Sequence, residues 1–146
     1  MYKRQDNALI ALGLARYGHT GESIRILQAL FDASQHMKLN SLPELFCGFQ
    51  RKSGRNPTSY PVACSPQAWA SAAPFALLTA ALGLEIDAVA DKVVLNNPQL
   101  PAFIDEVEIR HISLPSGSGD LRVRRSAEGL SIDLESRRGR LRVQRN

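Results

Sequence analysis

Near Leu84 the hydrophobic pattern of this chain changes period, and that change restricts the folds open to it. Apolar residues recur at helical spacing before this point and alternate with polar ones after it. Helices first and short strands afterwards read as an α+β chain in which the two kinds of element are segregated. The boundary is expected between Ala88 and Asp91, with a helical region over 1–88 and a small antiparallel β appendage over 89–146.

Three helices are expected. Asp6 to Tyr17 is rich in Ala and Leu, contains no proline, and is apolar almost all round, so it calls for neighbours on several sides. Gly18 suits the C-cap, and Thr20 suits the N-cap of a second helix over Gly21 to His36, with Ile24, Leu27, Leu30, Phe31 and Ser34 on one face. So short a link predicts an antiparallel hairpin. Ser65 as N-cap and Pro66 at the first helical position open the third helix, which runs to Gly83 and is expected to kink at Pro74. Its many alanines imply close approach to other helices.

Between the second and third helices, Leu39 to Ser65 is a long irregular connection with prolines at 43, 57 and 61. Connections of this length inside a domain are functional or disordered. The apolar content (Leu42, Leu45, Phe46, Phe49, Tyr60, Val62) argues for order, with Arg51 to Arg55 as an exposed basic tip. Beyond Leu84, period-two segments at Lys92–Leu95, Val107–Ile112, Asp120–Arg124, Leu130–Leu134 and Arg140–Gln144 predict one antiparallel sheet. Turns are expected at Asn96 to Pro98, Ser116 to Gly119, Ala127 to Gly129 and Arg138–Gly139.

The 146 residues suffice for one ordinary domain, and no run approaches the roughly 18 apolar residues of a membrane span. No membrane partner is expected, nor a secretory leader, because no apolar segment with a small-residue cleavage site follows Met1. Cys47 and Cys64 lack metal-ligand spacing to each other or to His19, His36 and His111, so neither a metal nor another cofactor is expected, and the thiols fit a cytoplasmic location. The formal charge of +4 comes largely from arginines after Asp120, which alternate with Leu121, Val123, Leu141 and Val143. That spacing reads as the solvated face of antiparallel strands, ahead of a nucleic-acid surface.

Three blocks carry a family resemblance. Asp6-Asn-Ala-Leu-Ile-Ala-Leu-Gly-Leu-Ala-Arg-Tyr-Gly18, Leu42-Pro-Glu-Leu-Phe-Cys-Gly48 and Tyr60-Pro-Val-Ala-Cys-Ser-Pro-Gln-Ala-Trp69 together resemble the C-terminal part of bacterial amylo-α-1,6-glucosidase, or glycogen-debranching-type, proteins. The tail with Asn97-Pro98 and Leu100-Pro101 resembles the β appendage that follows in those proteins. The resemblance spans nearly the whole chain. It implies about three helices of an (α/α)₆ toroid, action on α-1,6 linkages of an oligo- or polysaccharide α-glucan, and Glu44 as the catalytic base.

The residues agree with such chemistry. Glycoside hydrolysis uses two carboxyl groups, one protonating the leaving oxygen and one activating water or attacking the sugar. Glu44 lies between Pro43 and Leu45, where an apolar setting that strips water from a carboxylate makes it a better proton acceptor. Tyr60 and Trp69 offer faces on which a pyranose stacks, and Gln67 an amide that bonds adjacent hydroxyls, although Trp69 also suits a helical core. Asp6 matches the aspartate of a Trp-Pro-His-Asp-Asn block of the family, implying a place in the sugar site, whereas Lys3, Arg4 and Gln5 replace the Trp-Pro-His. The general acid is expected on upstream helices, so an upstream chain or a second copy would complete the ring. Without the acid the rate falls by about 10² to 10⁴. The alternative is a carbohydrate-binding or protein-interaction module with no chemistry of its own.

Overall fold

The computed structural model describes every residue except Met1, Arg51, Ser53 and Pro66, with Tyr2 to Gln5 described by their backbone alone. It is an α+β chain of two compact units, 1–80 and 81–146.

In the first unit, β1 (Tyr2–Lys3) leads directly into α1 (Arg4–Arg16), which packs on α2 (Thr20–Ser34). Gly18, at φ +84°, ends α1 in a Schellman turn: its N–H donates to the Ala15 carbonyl at 3.0 Å, and that of His19 to the Leu14 carbonyl at 2.8 Å. The expected C-cap is therefore the observed one. Thr20 is not the expected N-cap. The tight turn makes His19 the cap residue, whose carbonyl accepts the Ser23 N–H at 3.2 Å, and Thr20 is buried as the first residue of α2. The buried stripe of α2 is Thr20, Ser23, Leu27, Leu30 and Ser34, so Ser23 replaces Ile24 at its centre and Phe31 is 40% exposed.

The all-round apolar character of α1 is not matched by all-round burial in this chain. Ala8 and Ala11 are buried, whereas Leu9 and Ile10 are 63% and 56% exposed. After a 3₁₀ turn at Lys38–Asn40, the connection contains β2 (Leu45–Phe46), then α3 (Ala68–Leu82). Leu42, Leu45 and Phe46 are buried, so this part of the connection is ordered by its apolar residues. Of the basic tip, Lys52, Gly54 and Arg55 are exposed, with the Arg55 N–H donating to the Lys52 carbonyl at 3.2 Å; Arg51 and Ser53 lie outside the described residues.

The third helix starts later than expected, because the Gln67 carbonyl, not that of Ser65, accepts its first bond, from the Ser71 N–H at 3.0 Å. The expected role of Pro66 lies outside the described residues. Pro74 sits inside the continuous helix, and Ala70, Ala73, Leu77 and Ala80 form its buried stripe.

The second unit holds two three-stranded sheets where one was expected. β3 (Leu84–Asp87), β4 (Lys92–Leu95) and β8 (Val143–Arg145) form the order β3-β4-β8, with β3 antiparallel and β8 parallel to β4. β5 (Glu106–Leu114), β6 (Gly117–Ser126) and β7 (Gly129–Gly139) form an antiparallel meander. The helical pattern gives way at Gly83, and β3 belongs to this unit through its pairing with β4. The link after β5 is Pro115–Ser116, and Gly117 to Gly119 are strand residues. The Ala127–Glu128 hairpin falls where the sequence predicts it, whereas Arg138 and Gly139 continue β7. Val93, Leu95, Ile112, Leu114, Leu121, Val123 and Leu141 fill the core between the two sheets.

Candidate functional site

The nominated residues of the first unit are tied together by backbone bonds around a two-residue strand. β1 pairs antiparallel with β2 in the register Tyr2 with Phe46 and Lys3 with Leu45. The chain enters α1 immediately after Lys3, so the start of this helix lies beside the residue that precedes Leu45, which is Glu44. On its other side β2 is met by the end of the long connection. The Cys47 N–H donates to the Thr58 carbonyl at 3.0 Å, Phe46 bridges Ser59, and the Glu44 N–H donates to the Cys64 carbonyl at 3.0 Å.

The second and third of the resembling blocks are thereby joined at Glu44, and the first begins three residues after the strand that pairs with β2. Apolar burial fixes the turn, since Pro43 and Leu45 on either side of it are buried while Glu44 is half-buried. Asp6 is an exposed residue in the first turn of α1, where a carboxylate is favoured by the helix dipole. Tyr60 is half-buried, and its carbonyl accepts the Ala63 N–H at 3.0 Å. Gln67 is half-buried, and its side-chain oxygen is buried with no hydrogen-bond partner among the described residues. Trp69 is 63% exposed, so it is not the core residue its helical spacing allowed.

A further concavity of this unit lies elsewhere. A groove of about 900 Å³ runs between α2 and residues 46–58, and none of Asp6, Glu44, Tyr60, Gln67 or Trp69 lines it. Arg25, Asp32 and His36 from α2 and Phe49 and Asn56 from the connection form its wall. Their spacing along α2 reads as a solvated helix face, so the sequence carried no signal for this groove beyond the exposed aromatic Phe49. Its two acids, Glu22 and Asp32, are ten residues apart on α2, about 15 Å along the axis, which exceeds the roughly 5–9.5 Å of a glycosidase pair.

In the second unit, three carboxylates are held below their ordinary pKa by structural partners. Asp120 is lowered by Arg137 and by the His111 N–H, Glu108 by Arg110 and then Arg122, and Asp91 by the Ser116 N–H, with Arg142 adding to it. The arginines expected on a solvated strand face are there. Arg122 reaches Glu108 at 3.2 Å and Glu106 at 3.5 Å, and Arg124 reaches Glu106 at 3.1 Å, while Leu121 and Val123, which alternate with them, are fully buried.

Among the described residues no group of three or more His, Cys, Asp or Glu side chains is arranged to hold a metal ion, and no helix is long and apolar enough to cross a membrane. Compared with known proteins, the chain matches no family model and no curated protein.

Proposed function

We propose that this chain is the C-terminal portion of a glycogen-debranching-type glycoside hydrolase acting on α-1,6 linkages, with Glu44 as its general base. The observation that carries the reading is the bond from the Glu44 N–H to the Cys64 carbonyl, which joins two of the resembling blocks, with the β1–β2 pairing setting the start of α1 near the same turn. A base must be held still relative to the water it activates, and a glutamate whose N–H is bonded to the Cys64 carbonyl and which directly precedes the paired strand β2 is favourably held for that role.

The other nominated groups have complementary chemistry. The buried oxygen of Gln67, unpartnered among the described residues, carries a desolvation cost of about 1–3 kcal/mol, which a sugar hydroxyl donor would offset. The exposed ring of Trp69 is free to stack on a pyranose face. The general acid would come from helices N-terminal in the ring, and the exposed Leu9, Ile10 and Phe75 are apolar surface of the kind such helices would cover.

Trp69 is the sole tryptophan, so its emission reports sugar binding directly. Titration with an α-1,6-branched glucan oligosaccharide should change that emission saturably. Release of glucose should require both Glu44 and a protein that supplies the N-terminal helices of the ring, and Glu44→Gln should bind but not cleave. Binding without cleavage in the completed assembly would leave a carbohydrate-binding module and sink the catalytic reading. No change in emission and no cleavage under either condition would sink the sugar reading altogether.

A further inference from the structure

The groove between α2 and residues 46–58 contains none of the residues nominated around Glu44, yet its lining is ordered by the helix. Glu22, Arg25, Ala29 and Asp32 follow one another at intervals of three and four residues, so they share one face of α2, and His36 continues that line just past the helix. The facing wall is the connection, with Phe49, Lys52, Arg55 and Asn56. Leu30 and Phe46 are buried, so an apolar base meets polar walls. Asp32 Oδ1 accepts the Gln28 side-chain amide at 2.7 Å, which orients its carboxylate, and a carboxylate has room for further donors. The side chains of Arg25 and Asn56 bond to no other described residue, so their donors are open to a ligand.

The walls narrow the choice of ligand. Glu22 and Asp32 stand among Arg25, Lys52 and Arg55, so charges of both signs are interspersed and a polyanion would meet two carboxylates. A further helix packs through an apolar stripe, whereas this face of α2 is charged at both ends. An uncharged polyol is matched. Each of its hydroxyls both donates and accepts, so a mixture of guanidinium, carboxylate and amide groups serves it where a rim of one sign would not. Phe49 completes the set: its ring is 76% exposed on the wall, and an exposed aromatic face is a platform for the apolar face of a pyranose. The volume of about 900 Å³ lies near the top of the roughly 300–1,000 Å³ range of small-ligand sites, so the groove takes more than one ring.

We propose that this groove is a second, non-catalytic site for a short uncharged oligosaccharide, with Phe49 as the stacking platform and Arg25, Asp32 and Asn56 as hydroxyl partners. Glu22 and Asp32, about 15 Å apart along the helix, are too distant to act as a hydrolytic pair, so the groove only holds its ligand. The choice of sugar, an α-glucan, rests on the reading of the Glu44 site, and the groove gives the chain a second hold on the same polymer.

The test titrates the isotope-labelled full chain with the α-1,6-branched glucan oligosaccharide and follows backbone amide shifts by nuclear magnetic resonance. Amides of Ala29, Ala33, Phe49 and Asn56 should move along one saturating curve. Phe49→Ala should weaken that affinity by about tenfold, and Phe49→Tyr, which keeps the ring, by less than about threefold. Raised salt should leave it unaltered, because the ligand carries no charge. Phe49 is exposed, so its truncation leaves the fold intact, which circular dichroism checks. Trp69 lies outside the groove and reads the Glu44 site separately. Shifts in the groove without a Trp69 response would support this site and count against the Glu44 reading. A Trp69 response while these amides stay still would overturn the groove and leave the Glu44 reading standing. Unweakened binding by Phe49→Ala, or tighter binding of adenosine monophosphate than of the glucan in the groove, would also overturn the proposal.

Discussion

Asp120 Oδ1 accepts the backbone N–H of His111 at 2.9 Å, and His111 is held at φ +60° in the bulge between Ile109 and Ile112. A non-glycine residue in the left-handed region is strained, and it persists where neighbouring groups over-determine it. Asp120 does so from a buried position, with its other oxygen paired to Arg137. Asp120→Ala should therefore lower the urea midpoint of unfolding, because the His111 N–H loses its acceptor and the bulge its anchor. Asp120→Asn keeps an acceptor and loses only the charge pairing, so its midpoint should fall between those of the wild type and the alanine variant.

The same carboxylate sets a pH dependence, together with Glu108 and Asp91. All three have folded pKa values below those of the unfolded chain, so the folded state holds fewer protons than the unfolded one across the acid range. Their contribution is full above the unfolded carboxylate values of about 4 and is lost as pH falls through the folded values. Urea unfolding between neutrality and acid should give a flat midpoint down to about pH 4–5 and a decline below it. The decline should be shallower in Asp120→Asn. A midpoint that rises on acidification would contradict these pairings.

Gly83 gives a backbone prediction. Its φ is +54°, its carbonyl accepts the Asn96 N–H at 2.9 Å, and a Cβ at this position would run into the Asn96 carbonyl oxygen. Gly83→Ala meets both a left-handed conformation and a backbone collision that no side-chain rotation relieves. A loss of about 1–3 kcal/mol is expected by equilibrium unfolding.

Period-two alternation located β4 to β7, because burial of Leu121 and Val123 against exposed Arg124 is what that alternation encodes, but it missed β3 and placed the last strand at Arg140–Gln144, where β8 is Val143–Arg145. It carries no information on which strand pairs with which. The parallel contact of β8 with β4 joins Val143 to Val93 across fifty residues of chain, and a three-residue strand has no signature of direction. In the first unit, Gly18 was legible as a cap because a left-handed C′ position selects glycine. The β1–β2 pairing that brings α1 beside Glu44 was not legible, since two-residue strands have no periodicity. The groove beside α2 was hidden for a related reason, as Arg25, Asp32 and His36 are residues any solvated helix face displays.

Core packing and exposed apolar surface should respond to truncation in opposite ways. Leu121 is fully buried at the centre of the β core, so Leu121→Ala should cost about 2–5 kcal/mol through lost transfer energy and an unfilled cavity. Leu9 is 63% exposed, and Leu9→Ala should change stability by less than about 0.5 kcal/mol in the isolated chain. If further helices cover α1 in a completed ring, the same Leu9→Ala should weaken that assembly, which pull-down with the completing protein would measure.

Gln67 separates a binding role from a structural one. Its side-chain oxygen is buried without a partner among the described residues, so in the isolated chain it lowers stability, and an apolar side chain of similar shape should relieve that cost. Gln67→Met is expected to leave the urea midpoint unchanged or raise stability by about 1 kcal/mol. If the oxygen accepts a sugar hydroxyl, the same substitution should weaken the α-glucan response of Trp69 emission by about tenfold, since a bond worth roughly 1 kcal/mol or more is lost from the complex. A residue that served only the fold would move both measurements together. Greater stability with weaker binding is the outcome a sugar-facing Gln67 requires, and lower stability with unaltered binding would remove it from the site.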